Sequence, residues 1–241
     1  MKVKSEPLLD AVDIAGSQGA YGIAITPADD GWETWSMGQS RISMVFAKLP
    51  SEAFPDGYVK GEEFTVRNDF FPDAVRRGTE PDITVENGRI TVTDGKRKQW
   101  ARLSGADTDG IARAMPAYSP DTSMVVMADE LKAFMRQKQI KEFKGVRGVR
   151  LTIAKDGLHA KVEDETSSFE DVLESDSAVF PEGVEEAHAN FSVDALIPLV
   201  TALPKGALVT VGFNTESPLD LSVMTETLEA RLLLAPLIPE D

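Results

Sequence analysis

Cysteine is absent from the 241 residues of this sequence, and histidine is nearly so. Without cysteine the chain has no disulfide bond, no cysteine nucleophile and no thiolate zinc site, which fits an intracellular protein. The two histidines, His159 and His188, lie in no HxxxH or HExxH spacing. No phosphate-binding glycine loop or nucleophile elbow is present either. We therefore expect no catalytic residue, no metal and no cofactor.

Long apolar runs are also missing. The best candidate, residues 232–238, is interrupted by Pro236, whereas a membrane span needs about 18–20 apolar residues. The first ten residues are mixed and charged, unlike a secretory signal. We expect a protein without a membrane partner that works in the cytoplasm, near the nucleoid if it binds DNA.

Acidic residues outnumber basic ones by 40 to 25, so the net charge is −15. This balance argues against nucleic acid unless the cations are gathered on one surface, because phosphate binding needs Lys and Arg facing the duplex. An acidic exterior around a basic lining would satisfy both conditions. A salty cytoplasm or a viral source would also account for the acidity, so composition leaves the function open.

Short strand-like segments separated by frequent turns dominate the chain. Asn87-Gly88 and Asp94-Gly95 are strong hairpin signals, and the pattern favours an α+β fold of antiparallel sheets. The predicted strands include Ala20–Thr26, Ile42–Leu49, Glu63–Arg67, Asp82–Glu86, Arg89–Thr93 and Gln99–Leu103. The four predicted helices are Pro7–Ile14, Asn68–Arg77, Asp129–Ile140 and Asp194–Leu203, with Asn68 as an N-cap.

An internal repeat is the most informative feature. Phe64-Thr-Val-Arg and Phe191-Ser-Val-Asp each lead into a short helix and then a β pair, at an offset of about 127 residues. Two earlier strands, each followed by a turn with Asp and Gly, match at nearly the same offset. The repeat predicts two similar domains, residues 1–103 and 124–241. Residues 104–123, rich in small and polar residues, are predicted to form an extended connecting loop.

The landmarks together resemble the proliferating cell nuclear antigen (PCNA) family of DNA sliding clamps. The resemblance is carried, in order, by Ser40-Arg-Ile-Ser-Met-Val-Phe-Ala-Lys-Leu-Pro, Glu63–Arg77, Val149–Glu163, Phe191–Leu203 and Leu233–Ile238. It implies a DNA polymerase processivity factor of the archaeal or archaeal-virus type. Antiparallel sheets would lie outside, and four short helices would line the hole of a homotrimeric ring around duplex DNA. The short amino terminus departs from the family, so we expect a truncated first strand.

The resemblance also implies a basic lining that contacts DNA without sequence preference. Lys132 and Arg136 lie four residues apart, hence on one helical face. The expected DNA-facing residues are Arg76, Arg77, Lys132, Arg136, Lys138, Lys141 and Lys205. The first predicted helix carries acids and no cation, so we expect an uneven lining and a weak, salt-dependent contact.

In this family a pocket under the connecting loop takes a peptide with a Gln and paired aromatic residues, the PIP motif. The matching positions are Met37, Ile42, Met44, Ile111, Met115, Ala235, Pro236 and Leu237. Ile111 and Met115 are isolated apolar residues on a polar loop, which indicates that they pack against an apolar surface. The implied partners are a DNA polymerase, a clamp loader and other PIP-motif proteins.

Subunits of the family join by pairing edge strands, which also covers exposed edges. By position the two edges are about Gln99–Leu103 and Asp171–Val179. The expected interface residues are Gln99, Trp100, Ala101, Arg102, Leu103, Val172, Leu173, Ser177 and Val179.

Four other interpretations stay open at this point. The chain could be a phage-type clamp, a checkpoint-type subunit that assembles only as a heterotrimer, an acidic β-rich binding protein with no role on DNA, or an enzyme. The stoichiometry of the pure chain in solution distinguishes the ring from the last two. Self-assembly distinguishes a homotrimer from a heteromeric subunit.

Overall fold

The computed structural model describes residues 1–19, 22–38, 40–76, 79–103, 115–137, 140, 148–163 and 166–238. Its contacts divide the chain into two compact units. The first contains Met1–Met115 and Met224–Ala230, and the second contains Pro116–Val223 and Arg231–Asp241. Among the described residues, no helix has the length and apolar character that a membrane crossing requires.

The first unit is built from short antiparallel strands and two helices. Its elements are α1 (Ser5–Gly16), β1 (Gly22–Ala28), β2 (Gly31–Met37), β3 (Ser43–Pro50), β4 (Phe64–Arg67), α2 (Phe71–Val75), β5 (Asp82–Glu86), β6 (Arg89–Asp94) and β7 (Arg97–Arg102). Strands β1 to β4 are neighbours in the order β4-β1-β2-β3, and a separate sheet has the order β5-β6-β7.

Helix α1 packs against β3, β2 and α2 because its apolar residues recur every three or four positions. Leu8, Ala11, Val12 and Ala15 are fully buried on that face. The opposite face is acidic and partly or fully exposed, so α1 covers the sheet with one side and presents carboxylates with the other.

The second unit has the same kinds of element. They are β8 (Ser123–Met127), α3 (Ala128–Met135), β9 (Gly148–Ala154), β10 (Gly157–Glu163), β11 (Ser168–Glu174), β12 (Ala187–Ser192), α4 (Val193–Ala202), β13 (Leu208–Gly212), β14 (Leu219–Met224) and β15 (Glu229–Leu234). One sheet has the order β11-β10-β9-β12, and β15, β14, β13 and β8 are neighbours in that order.

The strand orders confirm the predicted repeat. The order β4-β1-β2-β3 in the first unit is reproduced as β12-β9-β10-β11 in the second. Where β8 pairs with β13 over five residues, the amino terminus has a single bridge between Lys2 and Asp82. A truncated first strand stays a prediction. Where the two domains meet along the chain stays a prediction.

All four predicted helices are present, but two are several residues shorter than predicted. Helix α2 begins at Phe71, and Asn68 does not cap it, since the Asn68 Nδ2 donates instead to the carbonyl of Gly16 at the end of α1. The predicted cap was therefore wrong: the side chain joins two helices. Helix α3 ends at Met135 rather than at Ile140, because Arg136 leaves the helical conformation.

Candidate interaction surfaces

Strand β7 is an edge strand with a basic outer face. Gln99 and Ala101 lie opposite buried β6 residues, so they face the core side of the sheet. Lys98, Trp100 and Arg102 alternate with them on the outer face, and Trp100 is 55% exposed. The guanidinium of Arg89 on β6 lies 4.6 Å from the centroid of the Trp100 ring and adds a further cation to this face.

Strand β11 is an edge strand of the second unit and has the opposite charge. Leu173 and Asp171 lie opposite the buried Leu158 and Ala160 of β10, so they face the core side. Glu170, Val172 and Glu174 alternate with them on the outer face. A hydrogen bond from Gln137 at the end of α3 lowers the pKa of Asp171, so this carboxylate is charged at neutral pH.

The two outer faces match residue for residue. An antiparallel register that sets Trp100 opposite Val172 also sets Lys98 opposite Glu174 and Arg102 opposite Glu170. Neither Glu170 nor Glu174 was among the sequence candidates, although their charge pattern at alternate positions is visible in the sequence. Two edge strands of opposite charge suit a pairing between copies of one chain.

Ser177 and Val179 lie on a different edge. The backbone of Val179 exchanges two hydrogen bonds with Ser123, and the Ser177 hydroxyl donates to the carbonyl of Val125 at 2.8 Å. These bonds cover the β8 edge from within the same chain. Strand β11 lies at one end of its sheet, and among the described residues it pairs with β10 on one side only.

The expected DNA-facing cations differ in whether they are already bonded to other groups of the protein. The Arg76 guanidinium lies 2.8 Å from Asp13 on α1 and 3.4 Å from Asp73 on α2. The Lys132 ammonium donates to the carbonyl of Leu203 at the end of α4. Both side chains therefore hold helices together in addition to any role towards a ligand.

Arg136 and Lys205 are the exposed candidates of the second unit, and the structure shows no acidic partner for either within the residues that it describes. Arg77, Lys138 and Lys141 lie outside the described residues. In the first unit, Glu6 and Asp13 occupy the outward face of α1. The helices of the second unit also carry exposed acids, Asp129, Glu130 and Asp194, while Arg136 and Lys205 follow the ends of α3 and α4.

Three of the expected pocket residues of the first unit, Met37, Ile42 and Met44, lie on the β2–β3 hairpin. Met37 is half-buried and pairs with Met44, which is 8% exposed on β3. Ile42 and Met115 are half-buried, and Ile111 lies outside the described residues. Their burial is compatible with plain packing as well as with a peptide site.

The remaining pocket residues belong to the second unit. Ala235, Pro236 and Leu237 are half-buried and follow β15 without regular structure. The Leu237 amide donates to the carbonyl of Asn190 at 2.7 Å, and the Leu237 side chain lies over Gly148. This contact fixes the carboxyl-terminal segment against β9 and β12.

Both histidines lie near carboxylates. The His159 Nε2 lies 2.9 Å from Asp156 Oδ1 on an exposed turn, and the hydrogen bond lowers the pKa of that carboxyl. His188 is half-buried with Glu186 3.9 Å away. Within the described ranges, no group of three or more acidic and histidine side chains is placed to hold a metal ion.

Comparison of the sequence with known proteins finds similar proteins of one kind, although no family model matches. A DNA polymerase sliding clamp of Thermococcus gammatolerans is 26% identical over 223 residues, which is 88% of this chain and 87% of the relative. A DNA polymerase sliding clamp of Thermococcus sibiricus is 26% identical over 244 residues, 96% of this chain and 94% of the relative.

Solved structures agree on the fold. The PCNA of A. fulgidus, in a complex with the C-terminal region of FEN-1, matches with a TM-score of 0.82 at 19% identity over 100% of this chain and 98% of that one. The PCNA of Thermococcus kodakaraensis matches with a TM-score of 0.80 at 16% identity over 98% and 99%. The fold is therefore that of PCNA.

Proposed function

We propose that this chain, a divergent relative of the archaeal DNA polymerase sliding clamps, is a processivity factor. Three copies would join head to tail into a ring around duplex DNA. The ring would tether a polymerase and other proteins in the cytoplasm instead of catalysing a reaction itself. Topological closure would supply most of the retention, since the described helices carry few free cations.

The observation that carries this proposal is the opposite charge of two edge strands in one chain. A basic β7 and an acidic β11 cannot pair with copies of themselves, because like charges directly opposite each other destabilise a strand pair. They can pair with each other, which makes the contact head to tail and allows a closed ring. The apolar contact of Trp100 with Val172 would lie at the centre of each junction.

Partner binding is proposed from the relatives. The A. fulgidus PCNA is bound to the C-terminal region of FEN-1, and the half-buried methionines and the Ala235–Leu237 segment are the corresponding candidates here. We expect a PIP-type peptide from a polymerase or a clamp loader to bind there. Methionine suits such a site because its flexible side chain adapts to different partners.

Charge reversal at the two edges tests the assembly. Changing Lys98 and Arg102 to Glu should reduce the mass measured by light scattering from about three times 26.2 kDa towards that of one chain. Changing Glu170 and Glu174 to Lys should do the same. The chain with all four substitutions should recover the trimer mass, because each reversed edge again faces its opposite.

The four-residue variant is needed because mixing the two single-edge variants cannot close a ring of three. Alternating them always leaves one junction between like charges. A control that reverses Lys60 and Arg67, two exposed cations that lie on neither of the two edge strands, should keep the trimer mass. Unchanged masses for both single-edge variants would contradict the proposed junction.

A further inference from the structure

The end of the predicted connecting loop is fastened to the second unit by polar side chains. Three of them, Arg231, Asp220 and Asn214, come from β15, β14 and the turn between β13 and β14. Arg231 and Asn214 contact the segment Tyr118–Thr122, which has no helix or strand of its own, and Asp220 holds Arg231. We call these three side chains the loop latch.

The ion pair of the latch is largely sheltered from water. The Asp220 side chain is 8% exposed, and Arg231 donates to its Oδ2 from Nε at 2.9 Å and from Nη2 at 2.6 Å. The same Nη2 also donates to the backbone carbonyl of Tyr118. A guanidinium makes this double contact because its donors are fixed in one plane, which a lysine cannot reproduce.

Asn214 holds the other end of the segment. Its Oδ1 accepts hydrogen bonds from the backbone amides of Asp121 at 3.0 Å and Thr122 at 3.2 Å. Its own backbone amide lies 3.4 Å from the Tyr118 hydroxyl. The two ends of this five-residue segment are therefore held by Arg231 of β15 and by Asn214 of the turn after β13.

We propose that the loop latch positions the described end of the connecting loop, residues 115–122, for partner peptides. This inference rests on the proposed function, and it assigns a role to residues that do not themselves touch the peptide. Met115, an expected pocket residue, lies only three positions before Tyr118. A loop held in its binding conformation does not spend binding free energy on ordering, so the latch raises the affinity for the peptide.

The test compares two latch variants with a matched control. Arg231→Lys keeps a positive charge beside Asp220 but loses the tie to Tyr118, and Asn214→Ala frees the amides of Asp121 and Thr122 without stranding a buried charge. In the control, Ser222→Ala, the hydroxyl that is removed donates to Asp220 Oδ1 at 2.9 Å and does not touch the loop. The probe is a synthetic peptide with a Gln and paired aromatic residues, titrated by calorimetry.

Both latch variants should bind the peptide about fivefold to tenfold more weakly, the effect of one hydrogen bond, while the control and the trimer mass stay unchanged. In Asn214→Ala, hydrogen exchange should also accelerate at the amides of Asp121 and Thr122. Unchanged affinity in both latch variants, or an equal weakening in the control, would overturn the role of the latch but not the proposed partner pocket. A parent chain that fails to bind the peptide would overturn the proposed partner pocket as well.

Discussion

Two glycines show the repeat at the scale of single residues. Gly31 at the start of β2 and Gly157 at the start of β10 have φ angles of +147° and +145°. A Cβ on either would come within 1.9 Å of the Leu49 carbonyl oxygen or 2.2 Å of the Leu173 carbonyl oxygen. Because both the backbone angle and the close approach exclude a side chain, each hairpin needs glycine at this position.

Gly157→Ala should therefore lower the free energy of unfolding of the second unit by about 1–3 kcal/mol, as strained backbone positions do. Urea unfolding followed by circular dichroism measures the change. Gly61→Ala is the matched control, since a Cβ there meets no atom within 4 Å. A decrease as large in the control would refute the steric explanation.

At the scale of elements, local sequence patterns predicted the strands and helices well. They did not predict which other residues these elements contact. The hairpin at Asn87-Gly88 and all four helices follow from turn residues and apolar spacing. The contacts of Asn68 with Gly16 and of Arg76 with Asp13 join residues 52 and 63 positions apart. No local pattern encodes such pairs, so the assignment of Asn68 as a cap failed and the ion pair of Arg76 was missed.

The candidate interface residues also fall into two groups, those that the sequence could predict and those that it could not. The positions of the two edge strands could be inferred from the repeat and the family resemblance, while the location of Ser177 and Val179 on the β8 edge could not. The loop latch was also missed, because Tyr118 and Arg231 are 113 positions apart and neither carries a motif. Their meeting depends on how β14 and β15 lie beside the loop.

The exposed cations Arg136 and Lys205, which have no acidic partner among the described residues, predict that the second unit provides more of the attraction to DNA. Changing Arg136 and Lys205 to Gln should weaken binding to a duplex and reduce the slope of log K against log salt by about one for each phosphate that is no longer neutralised. Fluorescence anisotropy with a labelled duplex measures both quantities. Arg76→Gln should have a much smaller effect, because Asp13 and Asp73 already pair with this cation. Equal effects from the two changes would mean that the ion pairs do not limit Arg76.

The whole molecule combines a net charge of −15 with attractive charges at two edges, and salt separates these effects. Repulsion between entire subunits reaches far only when the Debye length is long, about 30 Å at 0.01 M salt compared with about 10 Å at 0.1 M. The pairs across the junction are close together and are weakened only as the Debye length falls to about 3 Å near 1 M.

We therefore expect the trimer fraction to be highest near 0.1 M salt and to fall on both sides, at roughly 0.01 M and 1 M. Light scattering at a fixed protein concentration measures this profile. A mass that rises steadily up to high salt would mean that apolar contacts such as Trp100 with Val172 dominate the junction. In that case the edge charges would serve orientation more than affinity.

Encirclement of DNA is the central claim, and retention on a linear duplex tests it most directly. The chain is mixed with a duplex fixed to a bead at one end, and the free end is then blocked or left open. The beads are washed in enough salt to weaken the phosphate contacts but less than dissociates the trimer. A ring predicts protein retained only on blocked DNA and released when an internal restriction site is cut. Equal release from blocked and open DNA would contradict a closed clamp.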